Sequence, residues 1–179
     1  MVIVAGIDLA ATSRRPSGVA VISDKTLLFI GKAYYDQKMI DIMRSAKPSV
    51  VAIDAPLSPS DKYREVDLLM KRSGYPVLPP GWRTMRLLVI RGVNLRETLQ
   101  KYGIAVIETH PKSALKSCMC SSPAELFSRV GINPGRRLTR DEEDALIAAL
   151  VAKYYIEGRA KSISAVDGVI YLLPKICGE

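Results

Sequence analysis

The sequence predicts an α/β protein: a mixed, five-stranded central sheet flanked by helices, followed by a small C-terminal hairpin. Two observations carry this. Three apolar runs without alternation, 2–7, 50–53 and 104–107, have the composition of strands buried on both faces. Each runs directly into an acid, Asp8, Asp54 or Glu108. Parallel neighbours ending this way deliver carboxylates to one edge of a sheet, where open α/β sheets bind ligands.

The elements follow in order. After Asp8, the small, hydroxylated and basic stretch 9–18 reads as a loop that carries Arg14 and Arg15. Val19–Ile22 and Thr26–Ile30 flank Ser23-Asp24-Lys25 as a hairpin, which places an antiparallel pair beside the first strand. Met39, Ile40, Met43 and Ala46 form one stripe of a helix over 36–47, stopped by Pro48. The strand ending at Asp54 then completes a right-handed crossover.

A helix over 62–73 is expected to stop at Gly74, and the proline-rich stretch 75–82, with the single tryptophan Trp82, to form a stiff loop. A longer helix spans 84–101, and the strand ending at Glu108 follows. Two short helices, 111–116 and 123–130, precede a turn at 133–137. The last long helix runs from Thr139 to about Gly158, and Asp167-Gly168 marks the closing hairpin.

The 179 residues suit one domain, 1–179, with a full core. The 48% hydrophobic and 25% charged content excludes a disordered chain. No apolar stretch approaches the ~20 residues of a membrane span, and no signal peptide is read, so the expected location is cytoplasmic. The net charge of +8, from 26 basic and 18 acidic residues, favours a polyanionic partner, nucleic acid first, or simply keeps the chain soluble. Three cysteines, an odd number without a secretory signal, argue against a disulfide framework, and Cys118-Met119-Cys120 with the single His110 does not make a zinc site.

Asp141-Glu142-Glu143-Asp144 opens the last helix. Thr139 and Glu142 fit a capping box, and acids suit the positive end of a helix dipole. Capping explains Asp141 equally as well as a ligand role does. Asp144 is in line with Ile147 and Val151 on the inward stripe, and Ala145, Ala148, Ala149 and Ala152 permit close approach to a sheet. Crowded carboxylates repel unless cations intervene, and an all-oxygen set suits Mg²⁺ or Mn²⁺. Two such ions ~3.5–4 Å apart can activate a water and stabilise the leaving oxygen of a phosphodiester.

This arrangement resembles the ribonuclease-H-like fold of ribonuclease H, Holliday-junction resolvases and transposase cores. Those proteins put one aspartate in the first strand, an acid after the fourth and one or two on a late helix. Asp8, Asp54 and Asp144 match these places, with Asp141 the optional extra. More closely, Gly6-Ile7-Asp8-Leu9-Ala10, Ala52-Ile53-Asp54-Ala55-Pro56, Arg64-Glu65-Val66-Asp67, Glu108-Thr109-His110-Pro111, 141–146 and 167–170 are similar to a family of uncharacterised predicted nucleases, a domain of unknown function within that superfamily.

The resemblance implies a metal-dependent nuclease acting on DNA or RNA, with Asp8, Asp54, Glu108 and Asp144 catalytic and Asp8, Asp54, Asp141 and Asp144 holding metal. It leaves homodimeric assembly open. Glu108 departs from the simplest pattern and is a ligand or an orienter. Arg14, Arg15 and Arg64 would position the nucleic-acid backbone. Arg64 is alternatively half of an exposed ion pair with Asp67, and His110 a proton shuttle or a hydrogen-bonded loop residue. Trp82 would stack on a base or clamp its own loop. Two other functions fit: a nucleotide or phosphate binder, because 6–13 also resembles the first phosphate loop of the actin-like ATPases, and a non-catalytic nucleic-acid binder.

Overall fold

A computed structural model of the chain describes residues 2–60, 62–78 and 83–178. The strands β1 (Ile3–Asp8), β2 (Ser17–Ser23), β3 (Thr26–Ala33), β4 (Val50–Ile53), β5 (Ala105–Thr109), β6 (Lys161–Ala165) and β7 (Gly168–Leu172) form one sheet in the order β3-β2-β1-β4-β5-β7-β6. β1, β4, β5 and β7 run parallel, while β2, β3 and β6 run antiparallel to their neighbours. The expected five-stranded mixed sheet is therefore present, and the C-terminal hairpin docks on it. Glu108 pairs with Ile170 and Thr109 with Tyr171. No helix among the described residues is long and apolar enough to cross a membrane.

The helices are α1 (Asp36–Ala46), α2 (Glu65–Arg72), α3 (Arg83–Lys101), α4 (Pro111–Ser117), α5 (Pro123–Val130) and α6 (Arg140–Ile156). Strand alternation sorts the core into two layers. Val4, Ala20, Val50 and Ala52 face α6, in a cluster that also takes in residues of α2, α4 and α5. Ala5, Ile7, Val19, Val51 and Ile53 face α1 and α3, meeting Met39, Met43, Leu95 and Leu99.

α6 lies in the sheet's central groove because its small residues let it. Ala145, Ala148 and Ala149 are fully buried. Opposite them, Gly6 has no room for a side chain, since an added Cβ would collide with the backbone of Ala145 and Ala149. Gly18 is packed in the same way against the backbone of Asp141. The start of α6 is fixed by the expected capping box, in which the Thr139 backbone N–H donates to Glu142 Oε2 at 2.9 Å.

The cysteine expectation is corrected. Cys120 and Cys177 form a disulfide across 57 residues. An odd count does not report which cysteines meet. Here the C-terminal tail returns to the α4–α5 connection, and the backbone N–H groups of Ile176 and Cys177 donate to the Cys118 carbonyl at 3.0 and 2.9 Å. That leaves Cys118 buried and free.

Substituting Gly6 by Ala forces α6 off β1, an overpacking change that costs about 1–3 kcal/mol or more. Urea denaturation should show the lower midpoint with an unchanged slope.

Candidate active site

The register brings the first two carboxylates together. Ile7 pairs with Ile53, and the Asp54 backbone N–H donates to the Ile7 carbonyl at 2.9 Å, so Asp54 extends the ladder beside Asp8. The α6–β1 contact brings Asp144 to the same place. Asp8, Asp54, Asp141 and Asp144 all line one cavity of about 360 Å³.

The loops behind the two strand-end aspartates are pinned. Ser17 Oγ accepts from the Ala10 N–H at 3.0 Å, and the buried Arg91 donates to the Ala10 and Tyr34 carbonyls and to Asp36. Past Asp54, the Leu57 N–H donates to Glu108 Oε2 at 2.9 Å, and Arg96 donates to the Leu57 carbonyl.

Asp8, Asp54 and Asp144 differ from the other acids nearby. Among the described residues, none of their carboxylates accepts a hydrogen bond or enters an ion pair. Burial and the charges of Asp144 and Asp141 raise the Asp8 pKa to about 7. Burial, then the charges of Asp8, Asp144 and Glu108, push Asp54 well up. Burial also raises Asp144, against the pull of Arg140 and Lys112. Asp141 is turned partly outward to Lys32, 3.2 Å away on β3.

Glu108 lines the same cavity, but its carboxylate is paired. It is level with Ile53, one residue before Asp54, so alternation sends its side chain towards the α1/α3 layer. There it meets Arg64, whose Nη1 and Nη2 donate to its two carboxylate oxygens at 2.8 and 2.5 Å. Arg64 also donates to both oxygens of Asp67 and to Ser58 Oγ. With Arg64 4%, Asp67 7% and Glu108 7% exposed, the Arg64–Asp67 pair is buried, not the exposed pair of the alternative reading. Burial opposes the charge on Arg64, but the hydrogen bonds of Glu108 and Asp67 outweigh it and hold the guanidinium protonated. Asp167, at the hairpin turn, closes the network by accepting from the Glu65 and Val66 N–H groups at the start of α2.

The remaining candidates separate as follows. Arg15 lines the cavity, whereas Arg14 is exposed and does not. His110 lines it with Nδ1 2.5 Å from Ser113 Oγ, and burial, helped by Lys112, lowers its pKa to about 4, so the ring is neutral at neutral pH. Trp82 lies outside the described residues. The sequence reading missed Lys62, Lys112 and Arg140, exposed cations that line the cavity around its acids. The Pro111-Lys112 step directly after His110 and the Arg140 next to Asp141 were the available signals.

Among the described residues, no group of three or more His, Cys, Asp or Glu side chains is arranged to hold a metal ion. The chemistry of the donor set nevertheless fits a hard divalent cation. The cavity offers carboxylate oxygens without thiolate, and Asp8, Asp54 and Asp144 crowd one another with no ion pair among the described residues, a charge excess that a bound cation would relieve.

The architecture has relatives among solved structures. Thermus thermophilus RuvC in complex with a Holliday junction substrate superposes with a TM-score of 0.57 at 18% identity, over 87% of this chain and 96% of that one. A second Thermus thermophilus RuvC structure gives 0.55 at 17% identity, with the same coverage of each chain. The fold is ribonuclease-H-like. No family model and no curated protein sequence matches the chain.

Two predictions follow from these environments. A carboxyl with a raised folded pKa binds its proton more tightly in the fold, so the metal-free protein loses stability as pH rises from the ordinary 3.8 towards 7. Asp8→Asn should therefore raise the melting temperature at about pH 8 and change it much less near pH 4. Removing Arg64 strands two buried acids. Arg64→Ala should cost about 3–5 kcal/mol in denaturant unfolding.

Proposed function

We propose that this chain is a divalent-metal-dependent nuclease that hydrolyses nucleic-acid phosphodiester bonds. One observation carries the reading: three half-buried carboxylates from β1, the end of β4 and α6 line one cavity without an ion pair or hydrogen bond among the described residues, in a chain with a surplus of cations. The RuvC likeness supports a nuclease on this fold, and membership of the family of predicted nucleases would fit the motifs quoted above.

Asp8, Asp54 and Asp144 would hold Mg²⁺ or Mn²⁺, with Asp141 available at the rim. The bound ion would relieve the crowded charge and supply an activated water for attack on phosphorus. The chain's own residues do the remaining work. Arg15, Lys62, Lys112 and Arg140 bind the phosphate backbone. Glu108, clasped by Arg64, holds the Leu57 N–H and so orients the segment carrying Asp54. Glu108 acts here as an orienter, and Arg64 fixes Glu108 in place of contacting phosphate. His110, neutral and next to Lys112, accepts or relays a proton at Nε2.

The test is cleavage of a panel of structured DNA and RNA in Mg²⁺ by wild type, Asp8→Asn and Asp144→Asn. Loss of a metal ligand should lower turnover by about 10²-fold or more. In the absence of substrate, Mg²⁺ should raise the melting temperature of the wild type and of neither variant. Equal cleavage by all three proteins would rule the reading out.

A further inference from the structure

The cavity holding the aspartates does not end with them. Its other wall is apolar, made by Met70 of α2, Val77 and Leu78 of the following segment, and Met85, Leu88 and Val89 of α3. None of these side chains carries a hydrogen-bonding group. Val77, Met85 and Leu88 are half-buried and Leu78 is 59% exposed, so the wall is apolar surface left in contact with solvent.

This wall is fixed to the acidic end. α3 rests on the residues just past Asp54: a Cβ added to Gly92 would lie 3.0 Å from Ala55 Cβ and 3.1 Å from the Pro56 carbonyl oxygen. Met85, Leu88, Val89 and Gly92 recur at helical spacing, so the apolar stripe runs from that contact outward for roughly 10 Å. The cavity volume of about 360 Å³ falls within the ~300–1,000 Å³ of small-molecule sites.

A duplex cannot use this wall. Its bases are stacked and paired inward, and a backbone that reached the aspartates would present only phosphate and sugar to Met85 and Leu88. An unpaired nucleotide can turn its base aside and lay it on apolar surface while its phosphate stays at the acids. The exposed cations Arg15, Lys62, Lys112 and Arg140 line the same cavity and match a charged backbone.

Resting on the nuclease reading, we propose that the substrate of this site is an unpaired nucleotide, in a single strand, loop or flap, whose base packs on the Val77–Met85–Leu88 wall. Among the described residues, the side chains of this wall carry no N–H, O–H or oxygen, so it accepts bases with little regard to identity.

The experiment uses fluorescent oligonucleotides of one sequence as a single strand, as a full duplex and as a duplex with an unpaired loop. Binding is read by anisotropy without metal for wild type, Met85→Ser and Leu88→Ser. The single strand and the looped duplex should bind at least about tenfold more tightly than the full duplex, and each serine variant should lose about that factor for the unpaired forms alone. Melting temperatures identify any variant that has unfolded, and two separate positions guard against losing one.

Equal binding of paired and unpaired forms by the wild type, or equal weakening of both by the serine variants, would overturn the proposal. The nuclease reading is judged separately, by whether cleavage of the same three substrates in Mg²⁺ disappears in Asp8→Asn.

Discussion

The contact between α6 and β1 is the constraint that the rest of the site depends on. Gly6 and the alanines of α6 let a helix backbone lie directly against a strand backbone. A larger residue at either surface would lift the helix, and Asp144 would move away from Asp8 with it. The closeness has an electrostatic cost, because it crowds Asp144 and Asp141 against a half-buried Asp8, and burial with these charges raises its pKa to about 7. Apolar packing of Leu146, Ile147, Leu150 and Val151 holds the helix in place against that repulsion.

The acids of this edge divide into two sets. Glu108, Asp67 and Glu142 each have an arginine, Arg64 for the first two and Arg136 for the third. Among the described residues, Asp8, Asp54 and Asp144 form no ion pair, although Arg140 stands near enough to pull on Asp8 and Asp144. Supply is not the reason, since the chain has 26 basic residues against 18 acidic ones. The first set stabilises the frame by fixing the start of α2, the segment at Leu57 and the start of α6. The second set remains available for chemistry, and this division, more than the number of acids, gives the cavity its character.

Much of this was legible in the chain. Apolar runs ending in acids identified β1, β4 and β5 as parallel neighbours, because buried strands lack alternation and parallel strands end at one edge. Local signals also set the caps and turns: Thr139 with Glu142, Asp167 before Gly168, and the stop after α1. What was not legible depends on long-range placement. Nothing near Arg64 in sequence points to Glu108, 44 residues away. Nor does the pattern reveal that Glu108 is one register step from Asp54, which in a strand reverses the face, so that Glu108 lines the same cavity but is paired with Arg64. The Cys120–Cys177 link was invisible for the same reason, because proximity in space leaves no trace in a count.

That link has a topological consequence. It closes a covalent ring of chain containing α5, α6, β6 and β7, so the helix bearing Asp144 and the hairpin bearing Asp167 belong to one loop of fixed circumference. On the chain-entropy account, closing a loop of this length removes about 4 kcal/mol of freedom from the unfolded chain. The tether bounds how far α6 can stray from the sheet when its packing loosens, so fraying of the C-terminal region stays a local excursion instead of a release of the helix.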